Sequence, residues 1–256
     1  MIFFSFFISS LRTEFFKIAG IVLLTLGGTF LYQQYKDSKE LLAMQTISVP
    51  AGQRVNITLP DGTNVWLNAR TTIQYPLAFN QKKRQVKLDG QAYFDVTKNP
   101  EKPFVVQTEK FDVEVLGTKF DVEAYADKED FETTLMEGRV KLVSTTDLAQ
   151  TVTLKPDNKA CLVNGQLRIV SVDDYNVYRW KEGLICFKNE SFDAIMKDFE
   201  KYYGVSIEID NQKVLKYFYT GKFRQTDGID YALRVLQKDI RFTYTRDDEN
   251  RIIYIK

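Results

Sequence analysis

The chain contains no histidine. That excludes a Ser-His-Asp or Cys-His nucleophile and any histidine-bound zinc or haem. Only two cysteines occur, Cys161 and Cys186, too few for an all-cysteine zinc site or a disulfide scaffold. They fall on apolar strand patterns in different parts of the chain, which predicts two buried free thiols. An excess of one charge is missing as well. Lys plus Arg number 35 and Asp plus Glu 34, so the net charge is +1 and no field of one sign is available to hold a nucleic acid. No GxGxxG follows a strand pattern, and Gly221-Lys222 lacks the upstream glycine and following helix of a phosphate loop. The sequence therefore points to no catalytic, cofactor-binding or metal-ligating residue, and to a protein that is not an enzyme.

Long hydrophobic runs are absent except at the N-terminus. From Ile18 to Tyr32 the chain carries no charge. With Phe15, Phe16 and Lys17 the segment reaches about 27 Å as a helix, enough for a bilayer core. Ile18, Ile21, Val22, Leu23, Leu24, Leu26, Phe30 and Leu31 are the expected lipid-facing residues of a membrane anchor over 18–32. Gln33-Gln34-Tyr35-Lys36-Asp37 follows, with no small-residue cleavage site, which argues against a signal peptide. Arg12 and Lys17 on one side balance Lys36 and Lys39 on the other, so charge alone leaves the orientation open. Residues 33–44 read as a short polar stalk.

The remainder, with 44% of the whole chain hydrophobic, is rich enough to bury a core in each of two domains. Val55, Ile57 and Leu59 alternate with polar residues, as do Ala92, Phe94 and Val96, Phe111 to Val115, Phe120 to Ala124, and Val140 with Leu142. Period-two alternation marks strands with one buried face. Turn glycines at 62, 90, 117, 138 and 165 punctuate them, loosely spaced. The expectation is an all-β domain over 45–172, either solenoid-like or a rolled sandwich. The pattern then changes. Phe192, Ile195, Met196, Phe199 and Tyr203 follow helical spacing, with Asn189, Glu190 and Ser191 as cap candidates and Gly204 at the C′ place. A second helix is expected around Ile229 to Leu236, with Asp227 as its N-cap. Strands between and after give β-α-β-β-α-β-β, a small α+β domain over 181–256, joined by a linker at 173–180 in which Tyr175, Tyr178 and Trp180 wedge the two domains together.

Two clusters invite a functional reading. Asp121, Glu123, Asp127, Glu129, Asp130 and Glu132 lie close in sequence, and paired carboxylates can hydrolyse a glycosidic bond or hold calcium. The run lacks EF-hand spacing, so a solvated acidic face is the plainer expectation; a carbohydrate-binding or hydrolytic β-protein is a minor alternative. Tyr217, Phe218 and Tyr219 are consecutive, so a strand there presents aromatics on both faces. An edge strand of this kind recruits a partner by strand addition, and Tyr217, Tyr219, Phe223 and Arg224 are the candidate partner-binding residues.

Several stretches carry a resemblance. VPAGQRVNITLPDGTNVWLNARTTIQYP, VKLDGQAYFDVTKNPEKPFVVQT, VEVLGTKFDVEAY, TLMEGRVKLV and WKEGLICFKNESFDAIMKDFEKYYGVSIEI, in this order, are similar to the FecR family of anti-sigma factors and sigma-factor regulators in its Bacteroidetes form. The similarity spans about Gln45 to Lys256. The family implies a β-rich domain followed by a module like the short N-terminal domain of secretins and TonB-dependent receptors. It also implies a single-pass inner-membrane protein: a cytoplasmic N-terminus (here 1–17) that holds an extracytoplasmic-function sigma factor, and a periplasmic bulk that reads the signalling domain of a TonB-dependent outer-membrane transducer for iron or glycan uptake. Members carry a cytoplasmic helical domain before the anchor; only about 17 residues stand there in this sequence. A periplasmic adaptor without sigma regulation is the alternative.

Overall fold

The computed structural model describes residues 23–33, 43–79, 81–147, 151–163 and 165–256. Two compact units result, Met1–Ala43 and Met44–Lys256. In the first, residues 23–33 form helix α1, with Leu23, Leu24, Leu26, Phe30 and Leu31 exposed. Among the described residues no helix is long and apolar enough to cross a membrane. The anchor residues Ile18, Ile21 and Val22, segment 1–17 and most of the stalk lie outside the described residues.

The second unit begins with thirteen strands in one connected, nearly closed sheet. They are β1 (Met44–Ser48), β2 (Val55–Thr58), β3 (Asn64–Leu67), β4 (Thr72–Pro76), β5 (Arg84–Asp95), β6 (Phe104–Gln107) and β7 (Phe111–Val115), then β8 (Lys119–Ala124), β9 (Glu132–Glu137), β10 (Val140–Ser144), β11 (Thr151–Leu154), β12 (Asn158–Val163) and β13 (Gln166–Ser171). Pairing divides them into two layers. The first runs β1-β4-β5-β6-β7-β10-β11 and the second β2-β3-β5-β8-β9-β12-β13.

Strand β5 belongs to both layers. Its first half pairs with β4 and β6, and from Gly90 onward it pairs with β3 and β8. The bend needs glycine: Gly90 has φ +127°, and a Cβ there would lie 2.5 Å from Thr71 Oγ1. The strand turns so far that its ends meet. Buried Arg84, at its start, donates to Thr97 O at 2.8 Å just past its end, and pairs with Asp61 at 2.7 Å. Inside, Phe94 stacks on Phe120 at 5.1 Å and packs against Phe104 at 5.9 Å. Every pairing in this body is antiparallel except β5 with β6. A solenoid would stack its rungs in parallel ladders; here the strands form a nearly closed, barrel-like sheet, nearer to the rolled alternative.

The C-terminal part follows the expected order: β14 (Leu184–Ser191), α2 (Phe192–Tyr203), β15 (Ser206–Ile209), β16 (Phe218–Arg224), α3 (Ile229–Leu236), β17 (Tyr244–Asp247) and β18 (Ile252–Ile255). It has its own core around Phe192, Ile195, Phe199, Leu233 and Ile253. Ser191 Oγ accepts the Ala194 N–H at 3.3 Å, and Gly204 ends α2 with φ +67°, both as the spacing indicated. Helix α3 differs. Asp227 closes a 3-10 turn (Gln225–Asp227), one residue too early to cap, and Gly228 occupies the N-cap without a side-chain bond. Cys161 and Cys186 are free and half-buried rather than enclosed; Cys161 lies on β12, between β9 and β13, and Cys186 on β14 beside β16.

Candidate functional site: a polar seam and an open aromatic edge

The second layer of the β body turns Gln91, Tyr93, Asp121, Glu123 and Thr134 outward, since Ala92, Phe94, Phe120, Val122 and Leu135 point to the core. On an open sheet those polar residues would be wet. Here Gln91, Asp121 and Thr134 are buried, because the 3-10 segment Asn176–Glu182 and helix α2 cover them.

The cover is hydrogen-bonded throughout. Trp180 Nε1 donates to Asp121 Oδ2 at 3.2 Å, and Gln91 Nε2 donates to Asp121 Oδ1 at 3.1 Å. Lys201, on α2, donates to Gln91 Oε1 at 2.8 Å and reaches Glu123 at 3.4 Å. Asn68 Nδ2 donates to the same Gln91 oxygen at 2.7 Å, which fixes the amide orientation. Tyr178 OH shares a 2.7 Å bond with Thr134 and donates to Glu132. Nearby, the Gly52 N–H donates to Lys201 O at 3.0 Å, and Gln225 Nε2 donates to Gly52 O at 2.9 Å and to Tyr202 O at 2.7 Å. Gly52 sits with φ +77° and its Cβ position 3.1 Å from the Tyr203 carbonyl carbon, so a side chain there would push the two modules apart.

Burial governs the ionisation of this seam. Asp121 is pushed up to about 7, chiefly by burial, with Glu123 and Glu132 adding to the shift and the Gln91 bond and Lys201 opposing it. Burial likewise raises Asp198 to about 6. Lys201 is also buried, which works against its charge, but Glu123, the Tyr202 and Tyr125 hydroxyls and Asp198 together hold its pKa above the usual lysine range. A cavity of about 140 Å³ remains between the modules, with Glu123, Glu132, Glu190, Asp198 and Lys201 around it. Among the described residues no cluster of His, Cys, Asp or Glu has the makings of a metal site.

The acidic run is thus not one solvated face. Asp127, Glu129 and Asp130 are exposed, while Asp121 is enclosed and Glu123 and Glu132 are half-buried at the seam. Tyr178 and Trp180 do wedge the modules together; Tyr175 stands at the rim. Gln91 and Lys201, 110 positions apart, carried no sequence signal of their partnership. Tyr93 was the available hint: an aromatic on an outward strand position, capped by Lys181 3.4 Å from its ring centre.

The aromatic edge departs from its expected parity. Tyr217 closes a 3-10 turn (Gln212–Lys216) ahead of β16 rather than opening the strand. Tyr219 and Phe223 face inward; Phe223 is 3% exposed among Phe187, Phe199 and Tyr219, so it is a core residue and not a contact for a partner. The outward face carries Phe218, Thr220, Lys222 and Arg224, with Phe218 60% exposed. Strand β16 pairs with β14 on one side, and among the described residues no strand occupies its other side.

Comparison with known proteins now decides the family. The FecR protein model matches residues 45–141, and the model for the FecR C-terminal region matches 184–255, about two thirds of the chain between them. The chain belongs to the FecR family of anti-sigma factors. Two crystal structures of a candidate anti-sigma factor from Parabacteroides distasonis ATCC 8503, at 2.50 and 1.65 Å, are each 28% identical to it with a TM-score of 0.71. Each covers 83% of this chain and 98% of its own. None of the curated proteins matches the chain. The FecR family consists of regulators and is not a known enzyme family, and membership implies interaction with a sigma factor.

Proposed function

We propose that this FecR-family protein is a membrane-anchored, single-pass reader that conveys the state of a TonB-dependent outer-membrane transducer to an extracytoplasmic-function sigma factor. The hydrophobic run over 18–32 spans the inner membrane, residues 1–17 lie in the cytoplasm, and both modules lie in the periplasm. The observation that carries the reading is the outer edge of β16, which no strand among the described residues occupies, with Phe218 exposed at its start, on the module that the FecR C-terminal model matches. An unpaired strand edge with an exposed aromatic accepts a partner strand through main-chain hydrogen bonds and one side-chain anchor. The polar seam supports the same reading, because a docked pair of modules passes a force applied at β16 into the β body instead of dissipating it in a linker.

The test is titration of the full chain with purified signalling domains of the transducers encoded in the same genome. One domain is expected to bind specifically, and Phe218→Asp is expected to weaken that binding by about tenfold or more. An unaltered Kd rejects β16 as the contact; no binding by any domain rejects the reader function.

A further inference from the structure

Strand register gathers one set of loops at the end of the β body where the chain arrives. Met44 pairs with Pro76, Arg84 with Phe104, Phe104 with Val115, and Lys119 with both Asp95 and Glu137. The Asn99 N–H donates to Leu116 O at 2.7 Å, which brings in the turn that follows β5. At this end Met44, Leu77 and Leu116 are 51%, 43% and 46% exposed. Around them Lys82, Lys98 and Arg139 are exposed and have no ion-pair partner among the described residues. Two local carboxylates are already engaged, Glu114 by Lys83 and Lys141 and Glu137 by Lys119. In the β11–β12 turn at the same end, exposed Lys155 adds a fourth base, and Asp95, Glu101 and Asp157 are the exposed acids without an ion pair among the described residues, so bases remain in excess.

The length of chain limits how far this end can stand from an anchor at 18–32. About a dozen residues join Tyr32, the last of the hydrophobic run, to Met44. Fully extended they reach about 40 Å, so a tether anchored at 18–32 keeps this end within about that distance of the bilayer. The seam with the C-terminal module runs along β5 and β8, from Trp180 on Asp121 to Lys201 on Gln91, next to the Gly90 bend at the far end. Exposed aliphatic side chains among unpaired bases match the chemistry of a phospholipid interface: the aliphatics enter the headgroup region and the bases meet phosphates.

We propose that the tether-proximal end of the β body, through Met44, Leu77, Leu116, Lys82, Lys98 and Arg139, docks on an anionic phospholipid surface. The proposal rests on the reading that residues 18–32 anchor the chain. Docking orients the body, so that the seam and the C-terminal module point away from the bilayer toward an incoming partner.

The experiment uses the full chain in lipid vesicles, with an environment-sensitive fluorophore at Leu116→Cys or, at the opposite end, Glu129→Cys, in a Cys161→Ser/Cys186→Ser background of native circular dichroism. Vesicles contain a headgroup-linked quencher and either neutral lipid alone or about 30% anionic lipid. Quenching at position 116 but not 129 is expected in anionic vesicles, and each of Lys82→Glu, Lys98→Glu and Arg139→Glu is expected to weaken the bound population by about fivefold or more. Equal accessibility of the two positions overturns the proposal. So does a signal at 116 that follows protein density in neutral lipid, which would mark contact between copies of the chain. Resistance to alkaline carbonate tests the anchor separately. If carbonate strips the chain, the anchor reading falls, and binding of the released chain to anionic against neutral vesicles decides the surface by itself.

Discussion

Strands β7 and β8 carry the same kind of sequence and meet different fates. In β7, Phe111, Val113 and Val115 are buried and Asp112 and Glu114 are half-exposed, as alternation dictates. In β8, Phe120, Val122 and Ala124 are buried, but so is Asp121 between them. The difference is what lies outside. The outer face of the first layer is an open polar groove lined by Gln74, Lys87, Gln107 and Asp112, whereas the outer face of the second is covered by the linker and α2. Alternation reports the inner core faithfully; a break in it at a polar position reports a second body docked on the sheet.

That contrast can be broken in graded steps. The largest effect is expected for Trp180→Ala, which empties a 2%-exposed site and leaves Asp121 Oδ2 without its donor. A loss of about 3–5 kcal/mol is expected from the cavity and the lost bond together, read as a lowered urea midpoint. Next comes Lys201→Met, which keeps the aliphatic bulk but takes the ammonium from Glu123 and leaves Gln91 Oε1 with Asn68 as its donor. Because Glu123 is about a third exposed, water offsets part of the penalty, and about 2 kcal/mol is expected by the same measurement. A cost as small as that of a surface lysine would mean that the seam is wet.

A pH titration sharpens the comparison further. Asp121 has a folded pKa near 7, above its free value of 3.8, and Asp198 has one near 6. Folding therefore favours their protonated forms. Their contribution is fully present below about pH 4, is lost as the pH rises toward 7, and is flat beyond. Asp121→Asn is expected to make the decline between pH 4 and 7 shallower, leaving the part due to Asp198; an unchanged profile would place Asp121 in contact with solvent. The smallest effect belongs to the open face. Lys87→Ala and Gln107→Ala are expected to change stability by no more than about 0.5 kcal/mol. A larger loss from either would show that the first layer, too, is covered.

Much of this architecture was legible in the sequence. The helix over Phe192 to Tyr203, its Ser191 cap and Gly204 stop, and the whole β-α-β-β-α-β-β order follow from local periodicity and turn chemistry, which act over a few residues. The rolled sandwich was one of two readings, because glycine spacing says where strands end and nothing about which strands pair. Strands such as β3 and β6 escaped: β3 places Trp66 where alternation calls for a polar residue, and β6 buries Phe104, Val105 and Val106 in a row. The seam was half visible. Tyr178 and Trp180 announced themselves as large apolar groups in a linker, but Lys201 on the flank of an amphipathic helix looks like any solvated lysine. The parity of β16 is ambiguous in the sequence because Tyr217, Phe218 and Tyr219 fit either register; the inward turn of Phe223 onto Phe199 settles it, and that contact depends on tertiary packing.

The docked seam is the centre of this account, and the two tryptophans of the chain allow a direct test. Hydrogen exchange of the indole N–H groups, followed by NMR on the full-length protein, sets Trp180 against Trp66 as an internal reference. The Trp180 proton, held by buried Asp121, is expected to exchange only as slowly as the amides of Phe94 and Phe120 in the β core, and far more slowly than that of half-exposed Trp66. Fast exchange at Trp180 while those core amides stay protected would show the modules separating in the native state, and would contradict the account.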